Sequence, residues 1–214
     1  MKTGLIITLP RSDLVTEYLS QFSEEIIKEA EVREVKCKPL KDEDANKEEF
    51  EKVLRRLDYN FVVFNGHGTQ DTIKGNANEV LIKLGQNEII LNNRIIYARA
   101  CEAGEDLGKV YESSEEGCFI GYCLKFEFWA DKTWDSVPLK DEKARLFLEP
   151  SNMVPISLLK GHSGQEAHDI AKKYTLKSIR RVLKNPSEDS FWLISSLWKN
   201  YYSQTIYGNR GAKI

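Results

Sequence analysis

Two short segments hold residue types able to do covalent chemistry. One is the apolar run Phe61 to Phe64, which ends in Asn65-Gly66-His67-Gly68. The other, Arg94 to Ala100, ends in Cys101-Glu102-Ala103-Gly104. A cysteine attacks a carbonyl as its thiolate, and a nearby imidazole takes the proton and later protonates the leaving amine. The oxyanion that forms needs backbone N–H donors. Gly68 brings its N–H close because it has no side chain, and the N–H of Cys101 itself is the natural second donor. Gly104 lets the chain turn sharply after the nucleophile. Taken singly, a strand-end cysteine is a packing residue and a histidine in a Gly-rich turn is a satisfied turn residue. The joint pattern reads differently. Both residues end apolar runs, both have small neighbours, and His67 precedes Cys101 by 34 residues (101 − 67). This pattern is expected of a cysteine nucleophile and its base side by side, as in a cysteine peptidase.

Such a pair needs a scaffold that brings two strand ends together. Strand and helix patterns alternate through the first 125 residues. Strands are predicted at 4–9, 32–37, 60–64, 95–100 and 117–124, and helices at 14–27, 48–57 and 106–112. Ser12 or Asp13 can cap the first helix. Residues 80–84 and 88–91 read as a β-hairpin inserted between the two key segments. Helices are expected at 141–148, 164–183 and 188–200, with a last short strand at 204–207. This alternation predicts an α/β fold with a mostly parallel sheet and helices on both faces, in one domain spanning 1–214. In such a sheet, ligands bind beyond the carboxyl ends of the strands, where His67 and Cys101 are placed.

Composition narrows the function classes. The formal net charge of −2 offers no electrostatic case for a nucleic-acid partner. No apolar stretch approaches membrane length, so no membrane partner and a cytoplasmic location are expected. Cys37, Cys118 and Cys123 form no CxxC pair with one another or with Cys101, and the three histidines are not at metal-ligand spacing to them. No metal or other cofactor is therefore expected. The Gly-rich segment at 65–69 lacks the GxGxxG and P-loop patterns of nucleotide sites. His162 and His168 are expected at the surface or at a helix cap, and the tail aromatics Trp192, Trp198, Tyr201, Tyr202 and Tyr207 mostly in the core.

Asn-Gly-His-Gly followed by Ala-Arg-Ala-Cys-Glu-Ala-Gly resembles the caspase-like (clan CD) superfamily of cysteine peptidases, with CHAT domains and gingipains the nearest match. The hairpin between the two motifs and the Gly-rich strand at 117–122 are similar too. Ala103 stands where many members have serine. The resemblance implies a caspase-hemoglobinase α/β/α sandwich and endopeptidase activity through a dyad, with Cys101 as nucleophile, His67 as base and Gly68 as oxyanion donor. It also implies that Arg99, two residues before the nucleophile, lines the pocket for the side chain preceding the scissile bond. Arg11 matches a second arginine position of that pocket in caspases. Two guanidinium groups there predict an acidic residue before the cut site. The alternative for Arg99 is a structural ion pair with Glu102 or Asp131. The aromatic and acidic loop at 125–138 would border the substrate cleft. The expected partners are a protein or peptide substrate and a regulatory protein. The competing reading is a catalytically silent module of the same fold that binds a protein partner.

Overall fold

The apolar runs become strands because both of their faces are covered. The computed structural model describes residues 1–214. Its elements are Lys2–Leu9 (β1), Leu14–Phe22 (α1), Glu24–Val32 (α2), Cys37–Lys41 (β2), Lys47–Leu57 (α3), Tyr59–Asn65 (β3), Thr72–Lys74 (β4), Val80–Lys83 (β5), Ile95–Arg99 (β6), Asp106–Lys109 (α4), Cys118–Tyr122 (β7), Glu142–Leu159 (α5), Gly164–Lys184 (α6), Ser190–Ser203 (α7) and Gln204–Gly208 (β8). Six strands form the central sheet in the order β2-β1-β3-β6-β7-β8. All neighbours are parallel except β8, which runs antiparallel to β7.

Side-chain alternation sorts the strands onto two cores. Leu5, Ile7, Phe61, Val63 and Tyr97 pack on one face with Ile26 and Ala30 of α2, Val154 and Leu158 of α5, and Ala167 of α6. Ile6, Val62, Phe64, Ile96 and Ala98 pack on the other with Phe50, Val53 and Leu54 of α3 and with the β4–β5 pair. Each such side chain contributes roughly 1.5–3 kcal/mol by its burial. A one-residue slip would exchange the two faces, so the register is strongly specified. That register pairs Phe61 with Ile95 and Asn65 with Arg99, a constant offset of 34 residues. His67 and Cys101 have the same offset, so they leave neighbouring strands at equivalent positions.

Several elements depart from the sequence expectation. The first helix is broken at Ser23, whose Oγ hydrogen-bonds to Leu19 O at 2.7 Å. The second strand lies at Cys37–Lys41 rather than 32–37, because α2 continues to Val32 and Glu34 then turns the chain at φ 56°. The two-stranded insertion is present, but β5 pairs antiparallel with β4, and residues Glu88–Leu91 form a 3₁₀ turn instead of a strand. Helix α5 extends well past the expected 141–148 and runs through Pro150 and Pro155, residues that disfavour a helix interior. Its buried residues Ser151, Val154 and Leu158 hold it against the sheet despite the prolines. Trp192 and Tyr202 are not core residues but stay exposed, whereas His168 is buried and shares a hydrogen bond with Gln204 O. No helix is long and apolar enough to cross a membrane.

Candidate active site

The imidazole of His67 is held by an acid that the sequence marked only as a helix cap. Pro10 ends β1, and Asp13 caps α1 by accepting the Thr16 N–H on Oδ1 at 2.8 Å. Thr16 Oγ1 in turn accepts from the Asp13 N–H at 3.1 Å, which closes a capping box. The second carboxylate oxygen, Oδ2, lies 2.8 Å from His67 Nε2. Burial pushes the Asp13 carboxyl up, but the bonds from Thr16 and His67 outweigh it and hold the acid below its ordinary range. An ionised Asp13 only accepts hydrogen bonds, so Nε2 carries the proton and Nδ1 is left as the basic nitrogen.

Cys101 sits just beyond the end of β6, against the His67 turn. A Cβ on Gly68 would lie 2.8 Å from Cys101 O and 3.0 Å from Ala100 Cβ, so only glycine permits this approach. Neither the Gly68 N–H nor the Cys101 N–H is spent on another acceptor. Glu102 takes a left-handed φ of 59°, an unusual conformation for a non-glycine residue and one that concentrates at functional sites. The turn is tied to the end of β7 by Glu102 N–H to Leu124 O at 3.2 Å and Gly104 N–H to Tyr122 O at 2.9 Å. The Cys101 Sγ donates to Phe126 O at 3.9 Å, so the resting thiol and imidazole are each engaged elsewhere.

Burial pushes the Cys101 thiol above its ordinary value, and the Glu102 carboxylate acts in the same direction. The environment of the resting residue therefore favours the neutral thiol. Only the thiolate alkylates. Carboxymethylation of Cys101, followed by mass spectrometry of its peptide, is expected to be slow at pH 7 and to rise with pH through a midpoint higher than that of the same cysteine in the unfolded chain. A plateau reached below pH 8 would contradict this environment.

Cys101 and His67 open into one cleft of about 550 Å³. The loop after β7 supplies Phe126, Phe128, Trp129 and Ala130 to its wall, and the start of α1 supplies Leu14 and Val15. Of the loop expected at its border, residues 126–130 line this cleft, whereas 131–138 do not. Nor do the two arginines. Arg99 is completely buried between the sheet and helices α1, α2 and α5. Its guanidinium donates to Asn65 Oδ1 at 2.6 and 3.0 Å, Ser23 Oγ at 2.6 Å, Asn152 Oδ1 at 2.8 Å and Leu19 O at 3.0 Å. No carboxylate pairs with it, so the ion pair with Glu102 or Asp131 is also absent. Arg11 lies outside the cleft, on the surface among Glu17, Glu24 and Asp42 at 3.8–4.0 Å. The expectation of an acid-binding pocket loses its structural basis.

No group of three or more His, Cys, Asp or Glu side chains converges where a metal ion would sit. No family model matches this chain, and no curated protein matches it.

Proposed function

We propose that the chain is a cysteine endopeptidase of the caspase-like type, with Cys101 as nucleophile, His67 as base and Asp13 orienting the imidazole. The observation that carries this reading is the 2.8 Å contact between Asp13 and His67 Nε2, with a thiol that shares the cleft of His67. It leaves Nδ1 to exchange protons at Sγ. In the reaction, the Cys101 proton passes to Nδ1 and Sγ bonds to the scissile carbonyl carbon. The carbonyl electron pair moves onto oxygen, where the N–H groups of Gly68 and Cys101 receive it. The C–N bond then breaks, its electrons leave with nitrogen, and the imidazolium protonates the departing amine. Water, deprotonated by His67, attacks the thioester. The acid is released and the proton returns to the thiol.

The test is mass spectrometry of a peptide-library digest, with wild type and Cys101→Ala run in parallel. Cuts made by wild type and missing from the variant are the expected result. A digest with no Cys101-dependent cut, even at high enzyme concentration, would defeat the peptidase reading and leave the partner-binding module.

A further inference from the structure

The walls of the cleft say what it receives. The imidazole must stand beside the leaving nitrogen, so the acyl portion of a substrate lies across the thiol from His67. The Sγ of Cys101 itself contacts Phe126 O at 3.9 Å, at the start of the segment that carries Phe128, Trp129 and Ala130 to the cleft wall. On the same wall, Trp129 is 37 % exposed, and Leu14 and Val15 at the start of α1 remain 46 % and 41 % exposed. Large apolar side chains thus face solvent beside the nucleophile, in a space of the size that holds a side chain with its flanking backbone.

One charged group is in this wall, and it is neutralised in place. Glu127 is strapped to α7: its N–H donates to Asn200 Oδ1 at 3.0 Å, and Asn200 Nδ2 donates to its carbonyl at 2.6 Å. Its carboxylate accepts from Ser196 Oγ at 2.8 Å and forms an ion pair with Lys199. Ser196 is itself fixed by Trp129 Nε1 at 3.0 Å. A basic substrate side chain would have to compete with Lys199 for this carboxylate. An acidic one would meet it as a like charge, and the further cation that acts on the thiol, Lys125, is exposed to water rather than set in the apolar wall.

We infer that the residue preceding the scissile bond is a large apolar one, and that Lys199 keeps the cleft closed to basic residues by holding Glu127. This rests on the peptidase reading and adds its substrate class. Transfer of a charged side chain out of water onto an apolar wall without a partner set in that wall is unfavourable, which sets the discrimination.

The experiment uses fluorogenic peptides that differ only in the residue before the cut: Phe, Leu, Arg, Lys, Glu or Asp. Matched peptidyl acyloxymethyl ketones are scored in parallel by the rate of mass addition at Cys101. Phe and Leu are expected to exceed Arg and Asp by about tenfold or more in kcat/KM and in labelling rate. Lys199→Met, which frees Glu127, is expected to raise the Arg-to-Phe ratio several-fold. Wild-type preference for Arg, Lys, Asp or Glu would overturn the apolar assignment while leaving the peptidase intact. An unchanged Arg-to-Phe ratio in Lys199→Met would overturn the role of Lys199. Absence of both cleavage and labelling by every peptide would instead remove the peptidase reading itself.

Discussion

Asp13→Asn is expected to lower kcat/KM by about 10²- to 10⁴-fold while the fold stays intact, the range lost when a base is held in the wrong tautomer. The reason lies in the two jobs of one carboxylate. Oδ1 accepts the Thr16 N–H and Oδ2 faces His67 Nε2. An amide has a single acceptor oxygen. If it keeps the cap, its NH₂ group faces Nε2 and that nitrogen must become the acceptor. The imidazole proton then sits on Nδ1, which can no longer take a proton from the thiol. Asparagine is as good an N-cap as aspartate, so stability should hardly change. Asp13→Ala loses the cap as well and is expected to cost a further 1 kcal/mol or so. Comparing the two separates the cap from the chemistry: both variants lose activity, and only alanine lowers the thermal midpoint, by roughly 2–4 °C. Retention of activity within a few-fold in Asp13→Asn would remove Asp13 from the mechanism and return the site to a plain pair.

The pair itself was legible because its signal is local. His67 and Cys101 each follow an apolar run, each has a glycine or alanine beside it, and their separation equals the β3–β6 register. The parallel sheet was legible for the same reason, since β1, β3 and β6 are buried on both faces and read as continuous apolar runs. Asp13 was visible as a cap because capping depends on the next three residues. Its second oxygen meets His67 across 54 residues of sequence, and no local pattern encodes that. Leu14 illustrates the same limit: it shares helical spacing with buried Tyr18, yet it lies half-exposed on the cleft wall. The strand at 32–37 misread because alternating charge fits a half-buried strand and the end of an amphipathic helix equally well, and the helix won. Arg99 shows where an analogy outran the physics. Alternation correctly placed it on the face of Tyr97, and both side chains reach Ser151, at 2.6 Å from Tyr97 and 3.5 Å from Arg99. What covers that face is α5, whose Ser151 and Asn152 arrive more than 50 residues later.

Burial changes what Arg99 must do. Arg99→Met is expected to destabilise the protein by roughly 3–5 kcal/mol, near the top of the range for single substitutions. Methionine fills much of the volume, so cavity formation is the smaller part. The larger part is the loss of bonds to Asn65 Oδ1, Asn152 Oδ1, Ser23 Oγ and Leu19 O, all gathered by one planar group of five donors; Ser23 still donates to Leu19 O, whereas Asn152 Oδ1 loses its donor outright. Each buried acceptor left without a donor costs about 1–3 kcal/mol. Relief of the guanidinium's own desolvation offsets some of this total. Arg99→Lys keeps the charge but cannot span acceptors on β3, on α5 and at the α1–α2 junction at once, so its loss should be intermediate. Urea unfolding at fixed pH measures both variants as shifts of the midpoint. The same clamp reaches the chemistry, because Asn65 and Arg99 each stand two residues before a reactive side chain. Asn65 is also bonded to β1 through Thr8, its Nδ2 donating to Thr8 O at 2.8 Å. Loosening it lets the ends of β1, β3 and β6 move independently, and those ends carry Asp13, His67 and Cys101. Activity of Arg99→Met should therefore fall at temperatures where the variant is still folded, with no change in which peptide is preferred. A pocket arginine would do the opposite, altering peptide preference at unchanged stability, and that result would return Arg99 to the substrate site.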